Sequence, residues 1–319
     1  MENISTTQDF IYGISASAVF DAGRGGVIFA ARNTGLFRSE DGGKSWRRTL
    51  TELDTDLPAA VTAVALPIDF ELDHTVICGM AGGLLISNDS GKTWLRPKFP
   101  LPPPMISAIA LSPAFSEDGV ALAATMEDGV LRSSDHGRSW VQWNFGLLDL
   151  ALLSMPLTPG FKQDETVFAG TETGIFRSTN GGRAWRAVEL PVEYDPVLSL
   201  AVSPNFEQDL TIFAGTESKG LLMSRDAGEN WSCVGGSFTF ESVNSIVVSP
   251  EFSVRPEVVA LSNGLAWISR DGGSEWSQLW PELALDQQEI SALYAPGGFR
   301  AGRPAWVGNF SGDVLSKSC

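Results

Sequence analysis

Three glutamates recur at one place in a repeating pattern: Glu127, Glu172 and Glu217 each stand shortly before a turn glycine, in MEDG, TETG and TESKG. Carboxylates that converge on a common opening can act as general acid and base when burial raises the pKa of one of them. Asp149 and Asp195, in neighbouring loop segments, are further candidates for that chemistry. The same acids could instead form a cation-attracting rim, or be polar residues suited to exposed turns. A second set of residues offers binding. Segments 96–105, 142–150, 188–197, 234–243 and 279–288 contain Phe99, Trp143, Phe145, Tyr194, Phe238, Phe240 and Trp280. Large aromatics gathered in loops point to an apolar contact surface, or to rings that plug and pack between structural units.

What positions these residues is a repeat. Six segments read SEDGGKSW (39–46), SNDSGKTW (87–94), SSDHGRSW (133–140), STNGGRAW (178–185), SRDAGENW (224–231) and SRDGGSEW (269–276). Their tryptophans, Trp46, Trp94, Trp140, Trp185, Trp231 and Trp276, lie 45 to 48 residues apart, a period typical of solenoids and propellers. Short β-rich runs such as TAVAL, TVFAG and GIFRS precede the motifs, and each tryptophan opens a fourth run. Four short antiparallel strands per period make one blade of a β-propeller. The expected fold is therefore all-β: a seven-bladed propeller of four-stranded antiparallel blades, in one domain over 1–319. The units fall at about 15–55, 60–100, 105–145, 150–190, 196–236, 242–282 and 290–319. The last lacks its outer strand, which residues 1–12 are expected to supply, closing the ring and protecting its edge. The alternative is an open or six-bladed ring with a ragged C-terminal ribbon.

The motif itself is Ser-x-Asp-x-Gly-x-x-Trp, with Asn180 standing where the other copies have Asp41, Asp89, Asp135, Asp226 and Asp271. Asp suits a self-contained turn clamp because its carboxylate accepts backbone N–H groups just ahead. Calcium ligation is the functional alternative, and no metal site is expected. These segments resemble the Asp-box, or bacterial neuraminidase repeat, of a large group of propellers. That resemblance implies a hairpin between third and fourth strands, with the binding site on the opposite face. Sialidases of the group combine the boxes with an Arg-Ile-Pro motif that this chain lacks. Xyloglucan-cleaving members pair two propellers around a cleft. The sequence is most similar to single-propeller photosystem II stability and assembly factor-like proteins and bacterial relatives. These share a Ser-Pro-x-Phe-x-x-Asp phrase, here SPAFSEDGV (112–120), SPNFEQDLT (203–211) and TPGFKQDET (158–166).

Composition narrows the partners. A net charge of −16 without any Lys/Arg cluster argues against a nucleic-acid surface. No apolar run reaches the roughly 20 residues of a membrane span. The start of the sequence has no secretory pattern, so a cytoplasmic location is expected, with an exported mature form as the alternative. Three widely spaced cysteines and two histidines offer neither a disulfide framework nor a metal pattern, and no cofactor is expected. The leading expectation is a non-catalytic scaffold that binds a protein or peptide with apolar and basic features through an aromatic, acid-rimmed mouth. An enzyme acting on an apolar small molecule or glycan by carboxylate chemistry is the alternative. A glycan-binding module is the third.

Overall fold

In the computed structural model the described residues are 9–17, 26–50, 60–235, 238–285, 289–299 and 303–318. The chain is all-β and forms a seven-bladed propeller of small antiparallel sheets. The fourth blade shows the plan: Leu152–Ser154 innermost, then Val167–Thr171, Ile175–Ser178 and the outer pair Arg186–Ala187. Five blades hold four strands in this sequential order. In the second, the outer strand shrinks to a bridge between Ile86 and Leu95, and in the seventh three strands lie among the described residues.

Position in the blade dictates sequence. Second strands such as Val76–Met80, Val167–Thr171 and Ile212–Thr216 are buried at every residue, because a neighbouring blade covers each of their faces. Outer strands are two or three residues long and exposed. The inner ends of the blades crowd together. A Cβ added to Gly170 would stand 2.7 Å from the carbonyl oxygen of Val197, and one on Gly215 would stand 2.5 Å from that of Val243. Glycine is needed there for the backbones to meet. Hydroxyls staple the same contacts: Thr62 donates to the Ile106 carbonyl and Ser199 to that of Val243, at 2.5 and 2.9 Å.

Each inner strand touches the next around the ring, and the seventh touches the first. Ring closure differs in detail from the sequence expectation. Ile11 and Tyr12 do not extend the seventh blade; they belong to Ile11–Ala16, the inner strand of the first blade, which therefore begins before Ser15. Residues 1–8 lie outside the described residues. The first blade packs side by side on the last, and two hydrogen bonds cross that seam. Tyr294 donates to the Ala16 carbonyl at 3.0 Å and the Trp306 indole to that of Gly42 at 3.2 Å. The three-stranded sheet of the last unit rules out the six-bladed alternative.

The Ser-Pro-x-Phe-x-x-Asp phrases fold into single helical turns, Phe115–Asp118, Phe161–Asp164 and Phe206–Asp209, matched by Phe70–Asp73 in the second blade. Their phenylalanines are buried. Phe70 and Phe206 meet Phe29 and Phe168 of the preceding blade edge-on, at 6.4 and 6.2 Å. The closing aspartates of these phrases are structural. Asp118 accepts the Ser112 hydroxyl at 2.6 Å and the Val120 amide at 2.9 Å, and Asp164 and Asp209 repeat the arrangement.

Candidate functional site

The six Ser-x-Asp/Asn turns form one face of the ring, and in each the Ser and Asp or Asn side chains bond within the turn. In the first, Ser39 donates to Asp41 Oδ1 and accepts the Gly43 amide, both at 2.8 Å. Asp41 takes the Ser45 amide at 2.9 Å and the Ser45 hydroxyl at 2.6 Å. The Trp46 indole donates to the Gly43 carbonyl at 3.0 Å. Such donors hold the Asp41 carboxyl well below its ordinary range. Burial opposes them at Asp89, yet the Thr93 and Ser87 donors still bring it to about 2; Asp226 is at about 2 through Asn230 and Ser224. Asp135 and Asp271 are lowered in the same way. With their oxygens filled from within the turn, these aspartates act as clamps. The Asn180 variant fits its own turn: residue 184 is Ala, with no hydroxyl for a second carboxylate oxygen to accept. Its tryptophan is diverted as well, Trp185 donating across the blade seam to the Trp143 carbonyl at 3.0 Å.

The acid–base candidates lie on the other face. Glu127, Glu172 and Glu217 sit on the second-to-third turns of successive blades with exposed side chains. Asp149 and Asp195 are clamps like those of the turn motifs. Asp149 accepts the Thr173 amide and hydroxyl at 2.9 and 2.7 Å, and Asp195 the Ser218 amide and hydroxyl at 2.8 and 2.7 Å. Burial pushes both carboxyls up, but these donors outweigh it and both end below the usual range. A general acid needs the opposite shift. Asp9, absent from the sequence-based candidates, does the same for Thr34 in the first blade. Its signal was available: Asp9, Asp149 and Asp195 each stand two or three residues ahead of an inner strand.

The aromatic candidates divide by burial. Trp280 and Phe240 are core residues, 8% and 3% exposed, packed between blades and unable to present a contact surface. Phe238 lies against Phe240 and Trp267, ring centres 4.8 and 4.4 Å apart. Phe99 covers Gly83, where a Cβ would stand 2.5 Å from the ring. Trp143 is half-buried at the seam of the third and fourth blades, with the guanidinium carbons of Arg132 and Arg183 at 4.3 and 5.2 Å from its ring. Phe145 and Tyr194 are exposed, at 80% and 89%.

Beside Tyr194 the sequence reading missed an aliphatic partner set. Leu148 is 85% exposed, and the linkers also expose Leu101 and Met105. Leu148 and Tyr194 border a cleft of about 960 Å³ on the fourth blade, walled by Ile175, Val188, Leu190 and Val192. Thr173 and Gly174 of the second-to-third turn close one side, and Glu189 and Glu193 supply negative charge. The cleft lies along the outer strand of one blade instead of over the channel mouth. Runs such as GLLDL (146–150) and ELPVE (189–193) carry its signal, which an aromatic-led search overlooks. No described helix is long and apolar enough to cross a membrane.

Solved structures share this fold at low sequence identity. The extracellular domain of BT4673 from B. thetaiotaomicron superposes with a TM-score of 0.73 at 16% identity, over 98% of this chain and 39% of that one. The GH74 xyloglucanase from Xanthomonas campestris gives 0.73 at 17%, over 96% and 51%. YCF48 bound to a D1 peptide gives 0.70 at 15%, over 98% and 93%. The chain thus spans about two fifths to one half of the first two proteins and nearly all of the third. No family model matches the sequence, and no curated protein matches it. These likenesses establish the seven-bladed propeller fold.

Proposed function

We propose that this chain is a non-catalytic Asp-box propeller, assembly-factor-like, that binds an extended protein segment in the cleft of its fourth blade. The occupant is a peptide with apolar side chains flanked by Lys or Arg. The observation that carries this reading is the exposure of Leu148 and Tyr194 at the border of an apolar cleft of about 960 Å³. Exposed apolar side chains on this scale cost solubility unless a partner covers them. Glu189 and Glu193 beside them, in a chain of net charge −16, favour a basic partner. The peptide in the YCF48 structure shows that a propeller of this size class can hold one. Acid–base catalysis gains no comparable support, because Asp149 and Asp195 are held ionised and Glu127, Glu172 and Glu217 are exposed.

Selection from a random peptide library, followed by fluorescence anisotropy of the enriched sequences, tests the reading. Enriched peptides should combine apolar and basic residues and bind at least tenfold more weakly to a Leu148→Asp, Tyr194→Ser protein. Equal binding to that variant would sink the proposal, as would enrichment of acidic peptides.

A further inference from the structure

We propose that the seam between the third and fourth blades is a binding site for a single oxoanion group (carboxylate, sulfate or phosphate), built from Arg132 and Arg183 on the indole of Trp143. The inference rests on a comparison internal to the ring. Arg38, Arg132 and Arg177 occupy the same place, immediately before the turn serine, in the first, third and fourth blades. Arg38 is paired with Glu40, and Arg177 with Glu229 from the turn of the following blade. Glu229 also receives Arg186, so that seam is neutralised from within the protein.

Arg132 has no such partner. The position equivalent to Glu229 is Arg183, a second cation. Arg132 is 9% exposed; its Nε is buried without a hydrogen-bond partner, as are those of Arg38 and Arg177, so what sets it apart is the missing ion pair. Among the described residues no acid forms an ion pair with it. Glu165 and Asp118 influence it through space, while burial and the charge of Arg183 both disfavour its protonated form. Both guanidinium groups lie on the same indole, at 4.3 and 5.2 Å from its centre. A guanidinium stacked on a ring keeps its N–H edge free, and that edge matches the two oxygens of a carboxylate or sulfate. Arg183 uses one terminal nitrogen, Nη1, for Glu165 and the Asn180 carbonyl. Its remaining donors are available to a ligand. An anion at this seam would do for Arg132 what Glu229 does for Arg177. The site stands apart from the blade-four cleft and does not depend on its occupant.

The test is a titration of the full, ¹⁵N-labelled chain with sodium sulfate, and separately with sodium acetate, at constant ionic strength. Arginine side-chain signals report the binding. Arg132 and Arg183 should shift together and saturate with one dissociation constant, and Arg183→Gln should raise that constant about tenfold. Arg186→Gln, at the already neutralised seam, should leave it unchanged. Saturation by sulfate alone or by acetate alone supports the site and selects the oxoanion class. Linear shifts without saturation, or an unchanged constant in Arg183→Gln, would overturn it.

Discussion

In the Ser-x-Asp turns, each aspartate is surrounded by donors from its own turn; in the linkers between blades, Leu101, Phe145, Leu148 and Tyr194 project into solvent with little covering them. Both regions are loops on one ring, yet one repeats nearly unchanged and the other never repeats. The repeating turns are closed locally, their carboxylates held by donors of the same turn. The linkers vary in length and composition, and where they run across the fourth blade they leave an apolar cleft. The contrast separates what holds the ring from what faces outward.

Several measurements would break or sharpen this division. The largest effect should come from the packing beneath the turns. Phe168→Ala empties a fully buried site against Phe206, and should cost about 3–5 kcal/mol in a urea melt. Ser133→Ala comes next. Its hydroxyl donates to Asp135 and accepts the buried Gly137 amide at 2.9 Å. Losing it strands that amide, so about 1–3 kcal/mol is expected. A smaller, pH-dependent effect follows from the depressed carboxyls. Their contribution is complete above the unfolded-state pKa of ~3.9. It should be lost as pH falls from there through about 2, the folded value for Asp89 and Asp226. Tm should fall as pH is lowered through that window, and Asp89→Asn should reduce the fall. The smallest stability change belongs to the linkers. Leu148→Asp with Tyr194→Ser should alter unfolding by less than about 0.5 kcal/mol, since neither residue is buried. A large loss of stability in that double variant would erase the distinction between the two regions.

The architecture was legible because a spacing repeated six times is independent of any single residue's context. Ser-x-Asp-x-Gly-x-x-Trp marked the turns, and the apolar runs before it marked the strands. Ring closure was less so: the stretch 1–12 looks like the missing outer strand of the last unit, and pairing of Ile11 with Arg32 decides that Ile11 and Tyr12 belong to the first blade. The site was read worst. Trp280 and Phe240 have the same composition cues as Tyr194, and burial alone separates them. Ring type says nothing about which side of a linker faces the seam. Asp149 and Asp195 carry the sequence signature of reactive acids, carboxylates near turns. Their partners, Thr173 and Ser218, lie 24 and 23 residues away in sequence, beyond the reach of local pattern. Leu148 was missed for the reverse reason: a leucine in a loop carries no chemical signature until its neighbours are known.

The second strands, pressed between two blades along their whole length, also govern how such a ring can change over generations. A substitution there is felt at two seams at once, and a glycine such as Gly170 cannot acquire a side chain without displacing the Val197 backbone. A linker residue answers to far fewer neighbours. Heritable novelty is therefore channelled outward, and a new binding preference can arise on one blade while the other six keep their sequence.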